Sequence, residues 1–157
     1  MAQRIVSRVH KFLIKNKKTI AVAESCTGGL LSKLLTDISG SSQYFILGVV
    51  TYNNKAKVNI LRIPASLIVK KGAVSKEVVQ KMAQTIRKLA KTDFSIGITG
   101  IAGPTGGTPK TPVGTVFIAI DSNNKKICKK SHFTGSRSSI RKKAALQSLR
   151  LLKKLTA

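Results

Sequence analysis

Residues 19–29 read TIAVAESCTGG, a short apolar run that passes directly into small and hydroxyl-bearing residues. The run Thr19–Ala23 is rich in aliphatic side chains and predicts a buried strand. Apolar residues then recur at helical spacing, at Leu30, Leu31, Leu34, Leu35 and Ile38. A buried strand joined to an amphipathic helix by a short turn is the repeating unit of α/β proteins, so we expect a fold of this class.

The same alternation continues in both directions along the chain. Periodicity and breaker residues predict, in order, helix Arg4–Lys15, strand Thr19–Ala23, helix Leu30–Ile38, strand Tyr44–Tyr52, helix Asn53–Leu61, a helix with Ser75 as its N-cap, strand Phe94–Thr99, strands Val113–Ile120 and Lys126–Phe133, and helix Ser138–Leu155. This order predicts a three-layer α/β/α sandwich with a mixed sheet. No internal repeat or long linker interrupts the 157 residues, so we expect one domain over residues 1–157.

The composition excludes several classes of protein. Hydrophobic residues make up 42% of the chain and charged residues 22%, which is normal for a globular protein and unlike a disordered one. The apolar run at residues 45–50 is too short to cross a bilayer, and no apolar h-region follows the N-terminal basic residues. We interpret the only two cysteines, Cys26 and Cys128, as free thiols of a cytoplasmic protein.

The net charge of +24 is unusual, because 29 Lys and Arg residues stand against 5 Asp and Glu. Such a balance raises nucleic acid or an anionic membrane as a partner. Three observations weigh against nucleic acid: Lys outnumbers Arg by 22 to 7, the basic residues are scattered along the sequence, and no Trp is present. A lysine-rich solvated surface is the alternative, and the positive field would also attract a small phosphate-bearing ligand.

Three segments carry more polar chemistry than packing requires. The first, Glu24–Gly29, joins a strand to a helix, where backbone N–H groups can hold an anion. Its alternative role is an ordinary N-cap made by Ser25 or Thr27. The second is the glycine-rich loop Gly100–Thr108, which would let a ligand approach the backbone closely. A plain turn is the alternative for this loop.

The third segment combines Gly40–Ser42 with Thr51–Lys57, on either side of a predicted strand. A partly buried lysine loses its proton more easily and can then accept one from serine, so a Ser–Lys pair can perform acyl transfer without histidine. A turn serine and solvated lysines are the alternative.

His10 and His132 have no acidic partner in sequence, which argues against a Ser-His-Asp triad. The five acidic residues lack metal-ligand spacing, so we expect no metal site.

Six motifs follow one another along the chain: AESCTGG at 23–29, GSS at 40–42, YNNKAK at 52–57, GAVS at 72–75, TGIAGPTGGT at 99–108 and PVGTV at 112–116. In this order and spacing they resemble the C-terminal domain of the competence-damage-inducible protein CinA, the nicotinamide mononucleotide deamidase family. The resemblance extends from Thr19 to the last helix. Family members of this length are stand-alone deamidases, and we expect this chain to be of that form.

The resemblance implies a metal-independent amidohydrolase of pyridine-nucleotide salvage, which converts the carboxamide of nicotinamide mononucleotide to the carboxylate and releases ammonia. It implies no cofactor and a small pyridine nucleotide as partner. We also expect a homo-oligomer and no membrane partner. In its Ser/Lys mechanism we expect Ser42 to be the nucleophile and Lys57 its base. Tyr52 would aid proton transfer, and Ser25 is the competing nucleophile. The expected substrate-binding residues are Thr27, Gly28, Gly29, Thr99, Gly100, Gly103, Gly106 and Arg137.

Two positions depart from the family pattern. Asn53 stands where the family has a serine, and Thr111 stands where it has a lysine. Neither change removes a proposed catalytic group. Two other functions stay open: a basic nucleic-acid-binding module, and a domain of the same fold that binds a nucleotide without turning it over. Binding that weakens steeply with salt would indicate the first, and binding without ammonia release would indicate the second.

Overall fold

A five-stranded mixed sheet forms the centre of the molecule. The computed structural model describes residues 2–156. Its strands are β1 (Ile20–Glu24), β2 (Phe45–Val50), β3 (Phe94–Gly100), β4 (Thr115–Ser122) and β5 (Lys126–His132). Its helices are α1 (Ala2–Lys15), α2 (Leu30–Thr36), α3 (Asn54–Leu61), α4 (Ala65–Lys71), α5 (Lys76–Ala90) and α6 (Arg137–Leu155), and a 3₁₀ turn spans Ser41–Gln43. No helix within residues 2–156 is long and apolar enough to cross a membrane.

The strand order β2-β1-β3-β4-β5 determines where the loops meet. Strand β1 lies parallel to both β2 and β3, whereas β4 and β5 are antiparallel additions. In this register Glu24, at the end of β1, pairs with Val50 on one side and Ile98 on the other. The carboxyl ends of three neighbouring strands therefore lie at one edge of the sheet, which is where open α/β sheets commonly bind ligands.

Helices cover both faces of the sheet. Every residue of β1 is buried, and its side chains alternate between two apolar clusters. Ile20 and Val22 pack with α1, α2 and α6, while Ala21 and Ala23 pack with α3, α4 and α5. The small side chains of these two alanines let the second helical layer approach the strand closely. The expected three-layer sandwich with a mixed sheet is confirmed.

The differences from the sequence-based elements lie mainly at the ends and in one missed helix. Helix α4 follows directly after Pro64, in a segment for which the sequence analysis predicts no helix. Of its seven residues only Ile68 is buried, so it has too short an apolar stripe to be recognised by periodicity. The expected N-cap of α5 is confirmed, because Ser75 Oγ accepts a hydrogen bond from the backbone N–H of Val78 at 3.3 Å.

Candidate active site

An open pocket of about 250 Å³ lies at the carboxyl edge of the parallel strands. It is lined by Ser25, Cys26, Tyr52, Gly100, Ile101, Ala102, Gly103, Thr105, Gly106 and Arg137. These residues come from the segments after β1, β2 and β3 and from the start of α6. The topology of the sheet therefore brings together segments that are far apart in the sequence.

Lys57 lies directly behind this pocket and contacts Ser25. Its Nζ donates hydrogen bonds to Ser25 Oγ at 3.0 Å and to the carbonyl oxygen of Thr51 at 2.9 Å. The lysine is only 2% exposed, and this burial lowers the pKa of its amino group below the ordinary value. No side-chain carboxylate within residues 2–156 forms an ion pair with it. The arrangement places an amine whose neutral form is favoured by burial next to a serine hydroxyl.

The N-cap of α3 determines which of two nearby lysine side chains points into the protein interior. Asn53 Oδ1 accepts a hydrogen bond from the backbone N–H of Lys55 at 2.8 Å, which starts the helix at Asn54. Residues two positions apart on a helix point about 200° apart. With this start, Lys57 faces inward and is buried, whereas Lys55 is exposed. Asn53, expected to depart from the family pattern, serves here as the helix cap.

Ser25 and Thr51 are held by extensions of the sheet hydrogen bonding. The N–H of Ser25 donates to the carbonyl oxygen of Ile98 at 3.0 Å, and the N–H of Thr51 donates to that of Glu24 at 2.9 Å. Both acceptors of the Lys57 amine therefore belong to segments fixed to the sheet. This backbone attachment limits the movement of the serine relative to the lysine.

Glu24 holds the turn between β1 and α2. This completely buried carboxylate accepts hydrogen bonds from Thr27 Oγ1 at 2.6 Å, from the N–H of Leu31 at 2.8 Å and from the N–H of Ser32 at 3.1 Å. The hydroxyl of Ser32 adds a fourth bond at 2.7 Å. The helix cap that was considered for Ser25 or Thr27 is therefore made by Glu24, and Ser25 Oγ is left to face Lys57.

The expected ligand-binding residues Thr27, Gly28 and Gly29 do not line the pocket. The carbonyl oxygen of Thr27 instead accepts a hydrogen bond from Arg141 Nη2 at 3.0 Å. Gly28 has a φ of +57°, and a Cβ there would lie 2.9 Å from the same Arg141 nitrogen. The small residues of this segment allow a tight turn against α6, so their observed contacts are structural.

The structure corrects the expected pairing of Ser42 with Lys57. Ser42 is exposed in the turn before β2, whereas Lys57 follows the opposite end of that strand. A strand of six residues spans about 20 Å. Within one chain Ser42 therefore cannot pass its proton to this lysine. Ser25, the competing nucleophile of the sequence analysis, is the serine in contact with Lys57.

Tyr52 and Arg137 link three segments at the mouth of the pocket. Arg137 Nη2 donates to Tyr52 Oη at 2.5 Å, and its Nη1 donates to the carbonyl oxygen of Gly103 at 2.8 Å. Tyr52, expected to aid proton transfer, thus contacts Arg137 through its hydroxyl. Its ring is half exposed at the pocket. The pair connects the turn after β2 to the glycine-rich loop and the start of α6.

The glycine-rich loop forms one wall of the pocket. Gly100, Gly103 and Gly106 line it, as expected for a loop that a ligand approaches closely. Gly103 has a φ of +76°, and a Cβ there would lie 2.4 Å from Val113 Cγ1, so no larger residue fits. Thr99 is buried and does not line the pocket. Its hydroxyl donates to the carbonyl oxygen of Ala73 at 3.0 Å.

The sequence analysis did not name four further lining residues as site residues, although they lie within two of its motifs: Cys26, Ile101, Ala102 and Thr105. Burial raises the pKa of the Cys26 thiol to about 12, so it stays protonated at neutral pH. The role of Glu24 was also missed. The sequence signal for this role was an acidic residue at the end of a strand, Glu24, with a hydroxyl-bearing residue, Thr27, three positions later. No cluster of three or more potential metal ligands occurs within residues 2–156.

Comparisons with known proteins agree with this architecture. The family model described as CinA C-terminal domain matches residues 2–156. A CinA-like protein of Thermotoga maritima is 48% identical over 146 residues, which cover 93% of this chain and 36% of that protein. The chain thus spans about a third of the length of this curated relative.

Solved structures give the same result over nearly complete chains. The competence/damage inducible protein CihA from Agrobacterium tumefaciens superposes with a TM-score of 0.96 at 32% identity, covering 99% of this chain and 96% of that one. A competence-damaged protein (CinA) superfamily protein from Klebsiella pneumoniae has a TM-score of 0.95 at 33% identity, with coverage of 99% and 98%. The chain therefore belongs to the CinA C-terminal domain family.

Proposed function

We propose that this chain hydrolyses the carboxamide of nicotinamide mononucleotide to the carboxylate and releases ammonia, by a serine–lysine mechanism that requires no metal. The observation that carries the proposal is the 3.0 Å contact between Lys57 Nζ and Ser25 Oγ, in which the lysine is buried. Burial favours the neutral amine, which is the form that acts as a base. The substrate class follows from the family resemblance of the six motifs.

The first half of the reaction forms an acyl-enzyme. Ser25 Oγ attacks the carboxamide carbon while its proton passes to Lys57 Nζ. Backbone N–H groups hold the resulting oxyanion. One candidate is the N–H of Cys26, directly after the nucleophile, which donates to no backbone carbonyl within residues 2–156. The proton on Lys57 then moves to the leaving nitrogen, the C–N bond breaks, and ammonia departs.

The second half regenerates the enzyme. A water molecule attacks the ester carbon and gives a proton to Lys57 Nζ. The bond between that carbon and Ser25 Oγ breaks, and the serine recovers its proton from the lysine. The carboxylic acid formed gives its remaining proton to solvent and leaves as the carboxylate. Both halves require the same amine to alternate between its neutral and charged forms. A lysine with a lowered pKa suits this alternation better than an exposed one.

The substrate has two charged parts that the pocket can distinguish. Its cationic pyridinium ring withdraws electrons from the carboxamide and makes the carbonyl carbon a better electrophile. Its phosphate requires a cation, and Arg137 lines the pocket. A guanidinium has five N–H donors, and the bonds to Gly103 and Tyr52 use two of them, so three remain for phosphate oxygens.

Ammonia release from nicotinamide mononucleotide, measured with and without a chelator, tests the proposal. Wild type should release ammonia at the same rate under both conditions. Lys57→Ala should abolish release, and Lys55→Ala, which changes an exposed lysine two positions away, should retain it. Absence of release from folded wild type would refute the deamidase assignment for this substrate. Nucleotide binding without release would instead identify a non-catalytic domain of the same fold.

A further inference from the structure

A second concave surface lies between α1 and α6, at a distance from the pocket described above. It encloses about 530 Å³ and is lined by Arg4, Ile5, Arg8, Arg150, Lys153 and Lys154. All five basic side chains are exposed, and no acidic residue is among the lining. We call this surface the basic groove. It joins residues from the two ends of the sequence, so cations that are scattered in the sequence are gathered in space.

The acidic residues of the protein are engaged elsewhere. Glu24 is buried in the turn after β1, and the other four pair with lysines or an arginine outside the groove, as Asp37–Lys33, Glu77–Lys71, Asp93–Lys18 and Asp121–Arg87/Lys126. No side-chain carboxylate within residues 2–156 therefore neutralises a cation of the basic groove. An anion from outside the chain would meet this positive charge uncompensated.

The groove contains more arginine than a lysine-rich composition predicts. Only 7 of the 29 basic residues are arginines, yet three of them, Arg4, Arg8 and Arg150, line this one surface. Three others already bond to Asp121, Tyr52 or Thr27. A planar guanidinium binds phosphate oxygens in a bidentate manner, which lysine cannot do. A solvated surface with a general preference for lysine would not concentrate arginine here.

Helix energetics do not explain the arginines of α1. Arg4 and Arg8 are one turn apart, where like charges repel, and Arg4 lies near the helix N-terminus, where the dipole disfavours a cation. Lys153 and Lys154, in contrast, lie in the last turn of α6, where the dipole favours them. The α1 arginines thus oppose the stability of their own helix, and a bound anion would offset this cost.

The stripe of charge continues beyond the groove. Lys11 and Lys15 follow Arg4 and Arg8 at intervals of three and four residues, so all four share one side of α1. Both lysines are exposed. The eleven helical steps from Arg4 to Lys15 rise about 16 Å, which is the rise of roughly five nucleotides on one strand of a duplex. The stripe is long enough to follow several consecutive phosphates.

We propose that the basic groove binds the phosphate backbone of nucleic acid without regard to base sequence. The concave shape and the arginines suit a linear array of phosphates. A membrane surface fits less well, because the apolar face of α1, with Val6, Val9 and Leu13, is buried in the core and cannot insert into lipid. The groove shares no lining residue with the pocket, so the binding is independent of the deamidase activity.

Fluorescence anisotropy with labelled oligonucleotides of mixed sequence tests the proposal. Duplex DNA, its single strand and the matching RNA should all bind wild type. If the protein neutralises four phosphates, its affinity for the duplex should fall about a hundredfold as the salt concentration rises from about 50 to 200 mM. The triple variant Arg4→Gln, Arg8→Gln and Arg150→Gln should lose at least roughly tenfold in affinity and show a shallower salt dependence.

A matched control separates the groove from net charge. The control is a second triple variant, which combines Lys70→Gln, Lys81→Gln and Lys88→Gln. It removes the same charge from exposed sites on α4 and α5, on the opposite face of the sheet. This control should retain wild-type affinity within about threefold, a modest loss expected from the general field. Equal losses in the two triple variants would overturn the proposal in favour of diffuse attraction. Absence of binding to wild type at low salt would also overturn it.

Three further readouts complete the design. A triple lysine variant preserves the charge of the groove: Arg4→Lys, Arg8→Lys and Arg150→Lys. It should bind more weakly than wild type with the same salt dependence, so the groove can be tested even if the glutamine variant fails to fold. Ammonia release should be unchanged in all three triple variants, which distinguishes this proposal from the proposed function. Stronger binding to vesicles of anionic lipid than to the oligonucleotides would identify a membrane surface and refute the nucleic-acid assignment.

Discussion

Lys57 Nζ lies 3.0 Å from Ser25 Oγ, although 32 positions separate the two residues in the chain. The parallel pairing of β1 with β2 produces this contact, because Ser25 follows the end of β1 and the segment that leads to Lys57 follows the end of β2. The lysine reaches back to the sheet through its second bond, to the carbonyl oxygen of Thr51. The geometry thus depends on the hydrogen bonding of the sheet.

This contact predicts different outcomes for the two candidate serines. Ser25→Ala should reduce ammonia release from nicotinamide mononucleotide by about a thousandfold or more, because the nucleophile and the proton donor to Lys57 are both lost. Ser42→Ala should stay within about twofold of wild type, because an exposed hydroxyl at the far end of β2 contributes no such step. Steady-state assays of both variants provide the measurement. Loss of activity in Ser42→Ala alone would contradict the assignment and would restore Ser42 as nucleophile.

Glu24→Gln should destabilise the protein by about 2–4 kcal/mol, because four donors converge on this carboxylate and an amide can accept from only one side. Urea denaturation measures the free energy of unfolding directly. Glu77→Gln is the matched control, since Glu77 lies on the surface with a long contact to Lys71. It should change stability by less than about 0.5 kcal/mol. Equal stability of both variants would mean that the four hydrogen bonds do not require the charge of Glu24.

Much of the fold could be predicted because its central elements are strongly patterned. The strand after Thr19 and the helix capped by Ser75 have the apolar spacing and breakers of their type, and both were predicted in nearly the observed positions. Helix α4 could not be predicted in this way, since Ile68 is its only buried residue. Its position is determined by packing against α5, which no local pattern reports.

The candidate site was predicted in part. Lys57, Arg137 and the glycine-rich loop were identified because their motifs are local. Ser42 and Lys57 do not meet within one chain, and the reason is visible in the sequence itself, since the predicted strand already separates the two residues. The basic groove could not be predicted, because Arg4 and Arg150 come together only when the first and last helices pack.

Gly103→Ala tests how closely the pocket wall is packed. A Cβ at this position would lie 2.4 Å from Val113 Cγ1, and the residue has a φ of +76°. The overpacking and the left-handed backbone together should lower the free energy of unfolding by about 2–5 kcal/mol. We also expect KM for the nucleotide to rise, because the Gly103 carbonyl oxygen that accepts from Arg137 would be displaced.

Gly40→Ala is the control for this substitution. Gly40 also has a positive φ, of +88°, but its Cβ would meet only the flexible end of Gln43, at 3.4 Å. This variant should cost about 1–2 kcal/mol, the penalty of the backbone alone, and leave KM unchanged. Thermal unfolding and steady-state kinetics of both variants supply the comparison. Equal destabilisation would show that the loop yields easily to a larger residue.

The lowered pKa of Lys57 predicts a pH-dependent term in stability. Because burial lowers this pKa in the folded protein, the unfolded chain binds more protons between the lowered value and the ordinary one of 10.5. Stability from this group therefore rises with pH through that window, is lost as pH falls through it, and does not change outside it. In Lys57→Met the group is replaced by an apolar side chain, so wild type should gain stability relative to this variant as pH rises. Urea denaturation across the window measures the difference, and Lys55→Met, at the exposed position, should show no such trend. A constant difference between wild type and Lys57→Met would mean that the amine is equally easy to charge in both states, which would remove the basis for its role as a base.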